Sequence, residues 1–199
     1  MSDPSITDWI SAVTGVVGTA GLFVGFFFAW KQLAAWKHEA RETKRAFIAE
    51  DLIVAANNCS DSLKTLRSPI DTVPIEKIHD KNFALQRRFD RVVAQNDLFR
   101  TLRQTQIKAS FVLQNSIVEK AVDELFKVRN KVLSGIELLA DYTDATGLSQ
   151  SEKDLIGDTR RDVFGSYGQI DALGQMQLNA VQVIQEQLGP LARFDPPQS

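Results

Sequence analysis

A short row of arginines offers the best candidate for chemistry in this chain. Arg87, Arg88 and Arg91 fall on adjacent turns of a predicted helix. A guanidinium group presents a planar pair of donors that matches phosphate, so the row is a candidate site for a phosphate-bearing ligand such as a nucleotide. Asp90 and Asp97 lie among the arginines, and mixed charges on a helix are also typical of a solvated face. Both interpretations stay open as hypotheses.

The other reactive side chains form no catalytic pattern. His38 and His79 are the two histidines, and neither has a cysteine or carboxylate at metal-ligand spacing on one helix face. Cys59 falls on an apolar face, which predicts a small core residue rather than a nucleophile. The chain has no glycine-rich phosphate loop, nucleophile elbow or zinc-binding helix motif. The sequence therefore predicts no catalysis, no metal and no cofactor.

The element that must position everything else is a long apolar segment near the N-terminus. Residues 9–30 contain no charged side chain. At about 1.5 Å per residue this stretch is about 33 Å long, enough to cross a hydrocarbon core of about 30 Å. Trp9 and Trp30 bracket it, with Trp36 just beyond, where interfacial tryptophans are expected. We predict a transmembrane helix that is not a cleaved signal, because the leader has no basic residue.

The charges on either side of the span predict its orientation. The N-terminal residues 1–8 are acidic, whereas a basic stretch follows the span. That stretch contains Lys31, Lys37, Arg41, Lys44 and Arg45. The positive-inside rule then places residues 1–8 outside and the C-terminal body in the cytosol, as in a single-pass protein of the inner membrane. The same basic residues are candidates for contacts with anionic lipid.

Small residues in the span predict that it packs against another helix. They recur at heptad spacing with an additional GxxxG pair, and the set is Ser11, Gly15, Gly18, Gly21, Leu22, Gly25 and Ala29. Glycines let helix backbones approach closely, and this drives association in lipid. We expect the partner to be a second copy of the chain, which makes a homo-oligomer. A pore lined by this stripe is an alternative, although the span carries no ionisable residue that would select ions.

The remainder reads as an all-α cytosolic body, an antiparallel bundle of about four long helices. Residues 31–67 are predicted to continue the span as a stalk helix with an apolar stripe that Ser68-Pro69 ends, and residues 75–190 to form the bundle. Within the bundle we expect a break between Arg100 and Ala109, and one last helix from about Ser151 to Leu188 that stops at Gly189-Pro190. Leu155 is predicted to face the core from this helix, and Gly165 inside it suggests close packing against a neighbour or a kink. Ser149 and Glu152 predict a capping box. Residues 191–199 read as a disordered tail.

A second apolar pattern is a heptad seam in the middle of the body. Its members are Val118, Val122, Leu125, Arg129, Val132, Ile136 and Leu139. The single polar member, Arg129, is of a kind that sets register or pairing at some cost in stability. The formal net charge of the chain is −2, so we expect no nucleic-acid partner.

The segment after the basic stretch also carries a resemblance. The residues concerned are Ala49, Glu50, Leu52, Ala55, Leu63, Arg67 and Pro69. With the glycine-rich span before them and the later FKVRNKV and QEQLGPLAR segments, they resemble a class of small bacterial membrane-anchored all-helical proteins of unknown function. The chain departs from that class at Asn57, Asn58 and Cys59. The resemblance implies a tethered helical body and no known activity.

Two functions are compatible with these patterns. The first is a membrane-anchored interaction or signal-relay module that self-associates through its span and recognises a cytosolic protein or nucleotide. The second is a membrane-perturbing or pore-forming effector, a toxin or antiviral protein whose bundle senses a ligand. Leakage of a vesicle-trapped dye distinguishes the two.

Overall fold

The computed structural model describes residues 6–69, 74–77, 80, 82–165 and 171–192, and from 6 to 25 it describes the backbone alone. The α-helices in chain order are α1 Ile6–Leu66, α2 Phe83–Ala94, α3 Asn96–Leu113, α4 Ser116–Asp141, α5 Gln150–Phe164 and α6 Ala172–Ala192, with a 3-10 turn at Ile75–Lys77 before α2. No β-strand occurs in these described ranges. The prediction of an all-helical bundle is confirmed there.

The chain divides into two compact units, Met1–Lys44 and Arg45–Ser199. Most of the predicted span and its stripe, together with Trp9, lie outside the residues whose side chains are described; Ala29 and Trp30 lie inside. Across the described residues, no helix combines the length and the apolar character that a bilayer crossing requires.

The part of α1 in the second unit forms one wall of the core. Its predicted apolar face is confirmed, because the six residues that repeat at helical spacing are all buried: Ile48, Leu52, Ala55, Cys59, Leu63 and Leu66. Two polar contacts join this wall to α6. Gln177 Nε2 donates to the carbonyl oxygen of Ser60 at 2.7 Å, and Gln185 Nε2 donates to Asn57 Oδ1 at 3.1 Å. α1 ends at Leu66, beside the predicted stop at Ser68-Pro69.

Helix α4 is the centre of the bundle and contacts α2, α3, α5 and α6. The predicted seam is confirmed, because its six apolar members are at most 5% exposed. Arg129 stays half-buried at the edge, where Nη2 donates to Asn96 Oδ1 at 2.5 Å and the guanidinium lies 5.1 Å from the Phe99 ring centre. This arginine therefore joins α4 to α3, and its effect on register or pairing stays a prediction.

The predicted break between Arg100 and Ala109 is wrong, because α3 is continuous there. The hydroxyl groups of Thr101 and Thr105 donate to carbonyl oxygens one turn earlier, each at 2.9 Å, so they are satisfied within the helix. The chain breaks instead at Gln95, between α2 and α3, and at Gln114, which has a φ of 51°. Asn115 then caps α4 by accepting from the N–H groups of Ile117 and Val118.

The prediction of one long last helix is also wrong. α5 ends at Phe164, and Gly165 takes a φ of 63° that L side chains rarely adopt. α6 runs through Gly189 and Pro190 to Ala192, so the predicted stop at that pair lies inside its last turn. The capping box of Ser149 and Glu152 is confirmed. Leu155, predicted to face the core, is 47% exposed.

Candidate functional site

The arginine row predicted for phosphate is divided by the fold. Arg88 is fully buried and donates to the carbonyl oxygens of Leu66 and Ser68, at the C-terminal end of α1. Its guanidinium lies 4.3 Å from the centre of the Phe164 ring. A guanidinium held in this way has no open side for a phosphate. Arg88 therefore caps a helix end, while Arg87 and Arg91 remain half-buried on α2.

A second buried arginine lies at the same end of α1. The side chain of Arg67 is 6% exposed and its Nη2 donates to both carboxylate oxygens of Asp171 at 2.7 Å. Its Nε donates to the carbonyl oxygen of Asp162, in the last turn of α5, at 2.8 Å. One side chain therefore connects the end of α1 to the end of α5 and the start of α6.

The carboxylate of Asp171 is held from two sides. Its Oδ1 accepts from the N–H of Gly174 in the first turn of α6 at 2.7 Å, as an N-cap residue does. Burial alone would raise the pKa of Asp171, but the hydrogen bonds from Arg67 and from the N–H groups of Gly174 and Leu173 outweigh it and lower the pKa below its usual value. Asp171 is therefore charged at neutral pH.

Gly165 lets the chain pass close to this pair. A Cβ atom at that position would lie 2.8 Å from the carbonyl oxygen of Arg67, which no real side chain tolerates. Together with its positive φ, this contact explains why glycine ends α5 here. We call the four residues Arg67, Arg88, Gly165 and Asp171 the arginine node.

Beside the arginine node lies a cleft of about 860 Å³ between α2, the end of α4 and the end of α5. Its apolar lining includes Leu85, Leu139, Ile156 and Phe164, and its polar lining includes Tyr142, Thr143, Arg160 and Arg161. Both arginines are exposed, and Arg161 Nη1 contacts Asp158 Oδ1 at 3.0 Å. The cleft combines an apolar floor with cationic and hydroxyl groups, which is the composition of a small-molecule site.

The N-terminal unit carries a different kind of surface. Each residue from 26 to 41 is exposed. The large apolar side chains among them are 45–69% exposed, and they are Phe26, Phe27, Phe28, Trp30, Leu33 and Trp36. Of the predicted juxtamembrane basic residues, Lys31, Lys37, Arg41 and Lys44 are exposed and Arg45 is half-buried.

The remaining reactive groups that the structure describes do not come together in one site. Burial raises the pKa of the Cys59 thiol to about 12, with Arg129 acting more weakly in the opposite direction, so the prediction of a core cysteine is confirmed. His38 is exposed, and His79 lies outside the described residues. Among the residues that the structure covers, no three His, Cys, Asp or Glu side chains are grouped to hold a metal ion.

Sequence reasoning missed the partner of Arg67 and the cleft beside Arg160 and Arg161. Asp171 carried a usable local signal, because an aspartate just before an apolar helical run is a typical N-cap. Arg160 and Arg161 lie between Asp158 and Asp162, a mixed-charge pattern that indicates a solvated face. No local pattern could have shown that this face borders a cleft made by α2 and α4.

Comparison of the chain with family models, with curated proteins and with solved structures gives no match. The resemblance to small membrane-anchored bacterial proteins therefore remains an expectation. Of the residues behind it, Ala49, Leu52, Ala55 and Leu63 are buried in the core. Arg67 belongs to the arginine node and Pro69 to the lining of the cleft.

Proposed function

We propose that this protein is a membrane-anchored helical module that recognises a partner rather than catalysing a reaction. In this proposal the segment 9–30 crosses the inner membrane, self-associates through its glycine stripe, and holds the helical bundle at the cytosolic side. The bundle then presents its surface to a cytosolic protein or small ligand.

One observation carries the proposal, the exposed apolar shell around the helix from Phe26 to Trp36. At about 100° per residue, Phe26, Phe27, Phe28 and Trp36 point in four different directions around the helix axis. A helix that is apolar on every side needs an apolar environment on every side. Since this shell is 45–69% exposed in the isolated chain, lipid is the environment that best accounts for it.

The charges next to this shell support the proposed orientation. Lys31 directly follows Trp30, and Lys37 directly follows Trp36. Such neighbouring aromatic and basic side chains are expected where a helix leaves the hydrocarbon core for the headgroup region. Long basic side chains can extend from such positions toward anionic headgroups. The basic excess on this side supports a cytosolic location for the bundle.

The attachment is tested by expressing the full chain in bacteria and floating the membranes on a density gradient after carbonate washing. The proposal expects the protein to float with the bilayer. A variant with Val17→Lys and Ala20→Lys, at the centre of the segment, should leave the membrane fraction, because each central charge costs about 2.5–3.5 kcal/mol. Recovery of the unaltered protein in the supernatant would refute the attachment.

Self-association is tested on the full chain in detergent by analytical ultracentrifugation. Gly18→Leu with Gly25→Leu should convert the oligomer to a monomer, because the larger side chains separate the backbones. Val16→Leu with Val24→Leu is the matched control on the opposite side and should keep the oligomer. If the unaltered protein is monomeric, self-association is refuted and the span is only an anchor. Dye release from vesicles that is lost in the glycine variant would instead support the membrane-perturbing effector.

A further inference from the structure

We propose that the cleft beside the arginine node binds an aryl or nucleoside phosphate, a ligand with a planar ring and a terminal phosphate group. The site belongs wholly to the unit Arg45–Ser199 and does not depend on the proposed membrane attachment. Its volume of about 860 Å³ lies within the range of about 300–1,000 Å³ that holds small ligands.

The ring of the ligand would lie on the apolar part of the cleft. Leu85 from α2, Ile156 and Phe164 from α5 and Tyr142 at the end of α4 all line it. The buried guanidinium of Arg88 packs against the Phe164 ring, 4.3 Å from its centre, and so restricts the movement of the ring. A rigid aromatic wall favours a planar ligand over a flexible chain, since stacking loses little conformational entropy.

The phosphate would be bound by Arg160 and Arg161 at the edge of this floor. Both are exposed, and the described contact of Arg161 is with Asp158, whose side chain is 71% exposed. An exposed ion pair between residues three apart on a helix is weak and gives way readily to a doubly charged ligand. Both side chains line the cleft, and each guanidinium carries the forked N–H donors that phosphate oxygens accept.

Helix ends at this cleft are the main physical objection to an anion. The C-terminal ends of α1, α4 and α5 all lie here, and such ends carry partial negative charge. Several of their carbonyl groups already accept a hydrogen bond, because Arg67 donates to that of Asp162 and Arg88 to those of Leu66 and Ser68. The Thr143 hydroxyl likewise donates to the Leu139 carbonyl at 2.9 Å. The arginine node thus makes a phosphate site possible at a place where bare carbonyl groups would repel it.

The proposal is tested by isothermal titration calorimetry on the full chain in detergent micelles. The probes are 1-naphthyl phosphate and AMP, with adenosine and inorganic phosphate as the two halves of the ligand. We expect at least one ring phosphate to bind and both halves to bind more weakly. Arg160→Gln with Arg161→Gln should raise the Kd at least about tenfold, the effect of losing charge-assisted hydrogen bonds.

Matched controls separate the site from general charge and stability effects. Arg100→Gln with Lys108→Gln removes two cations from exposed positions of α3 and should leave the Kd within about twofold, as distant surface changes do. Ala84→Trp should fill the cleft and abolish binding, whereas Ala94→Trp, on an exposed position of the same helix, should not. The proposal is overturned if neither ring phosphate binds at about 1 mM, or if the Arg160 and Arg161 double variant binds as tightly as the unaltered protein.

Discussion

Removing the negative charge from the buried pair of Arg67 and Asp171 should destabilise the protein far more than breaking one of its exposed pairs. Changing Asp171→Asn keeps an oxygen that can accept from the N–H of Gly174, because asparagine is also a good N-cap. What it removes is the negative charge beside the guanidinium of Arg67, which is 6% exposed and cannot lose its proton. The variant therefore isolates the cost of an uncompensated buried charge.

Breaking a buried pair in this way costs about 3–5 kcal/mol. We expect about 3 kcal/mol, the lower end, because Arg67 keeps its bond to the Asp162 carbonyl oxygen at 2.8 Å. The measurement is urea unfolding of the full chain in detergent micelles, followed by the helical circular dichroism signal, with the m-value compared between variants. Asp158→Asn is the control, since its pair with Arg161 has a similar length of 3.0 Å but is 61–71% exposed.

That control should change the free energy of unfolding by less than about 1 kcal/mol. Combining Asp171→Asn with Arg67→Met should recover about 1–2 kcal/mol relative to Asp171→Asn alone, because the buried charge is then gone. The reasoning is refuted if Asp171→Asn lowers the free energy of unfolding no more than Asp158→Asn does, since burial of the pair would then make no difference.

Three further results are expected. The pKa of Asp171 is lowered on folding, so the contribution of its charge to the free energy of unfolding should be complete above its unfolded pKa of about 3.9. That contribution should be lost as the pH falls through the lower folded pKa, and acid titrations of the unaltered protein and of Asp171→Asn will show the difference. Gly135→Ala should destabilise by about 1–2 kcal/mol despite better helix propensity, because its Cβ would lie 2.6 Å from Val163 Cγ2; Val163→Ala should lessen that cost in a double-mutant cycle. Cys59, with its pKa of about 12, should react with iodoacetamide at pH 8 only after unfolding, and rapid labelling of the native protein would contradict its burial.

Local patterns in the sequence were sufficient to predict much of the bundle. The apolar repeat from Ile48 to Leu66 and the α4 seam both describe faces that are buried in the structure. The capping box at Ser149 was equally readable, because its two partners are three residues apart. In each case the signal and the structure lie within a few helical turns, where 3.6-residue periodicity and backbone caps decide the outcome.

Helix boundaries were harder to predict where a polar residue could either mark a break or form a hydrogen bond inside the bundle. Thr101, Thr105 and Gln106 weaken the apolar pattern, yet Gln106 faces α4 and donates to the Glu119 carbonyl and to Asp123. The glycine at 165 suggested close packing against a neighbour or a kink, and the helix end found there was not predicted. The close approach of the Arg67 carbonyl oxygen explains why the residue at which α5 ends is a glycine.

By itself, the sequence determined an all-helical body with defined apolar faces, and it predicted a membrane-spanning segment near the N-terminus. Only the tertiary structure decided which arginines hold the fold and which border a cleft. Arg67 and Asp171 are 104 positions apart in the chain, so no periodicity relates them. Arg88 and Arg160 are the same residue type in similar mixed-charge helices, and burial separates their roles because it depends on which helices surround each side chain.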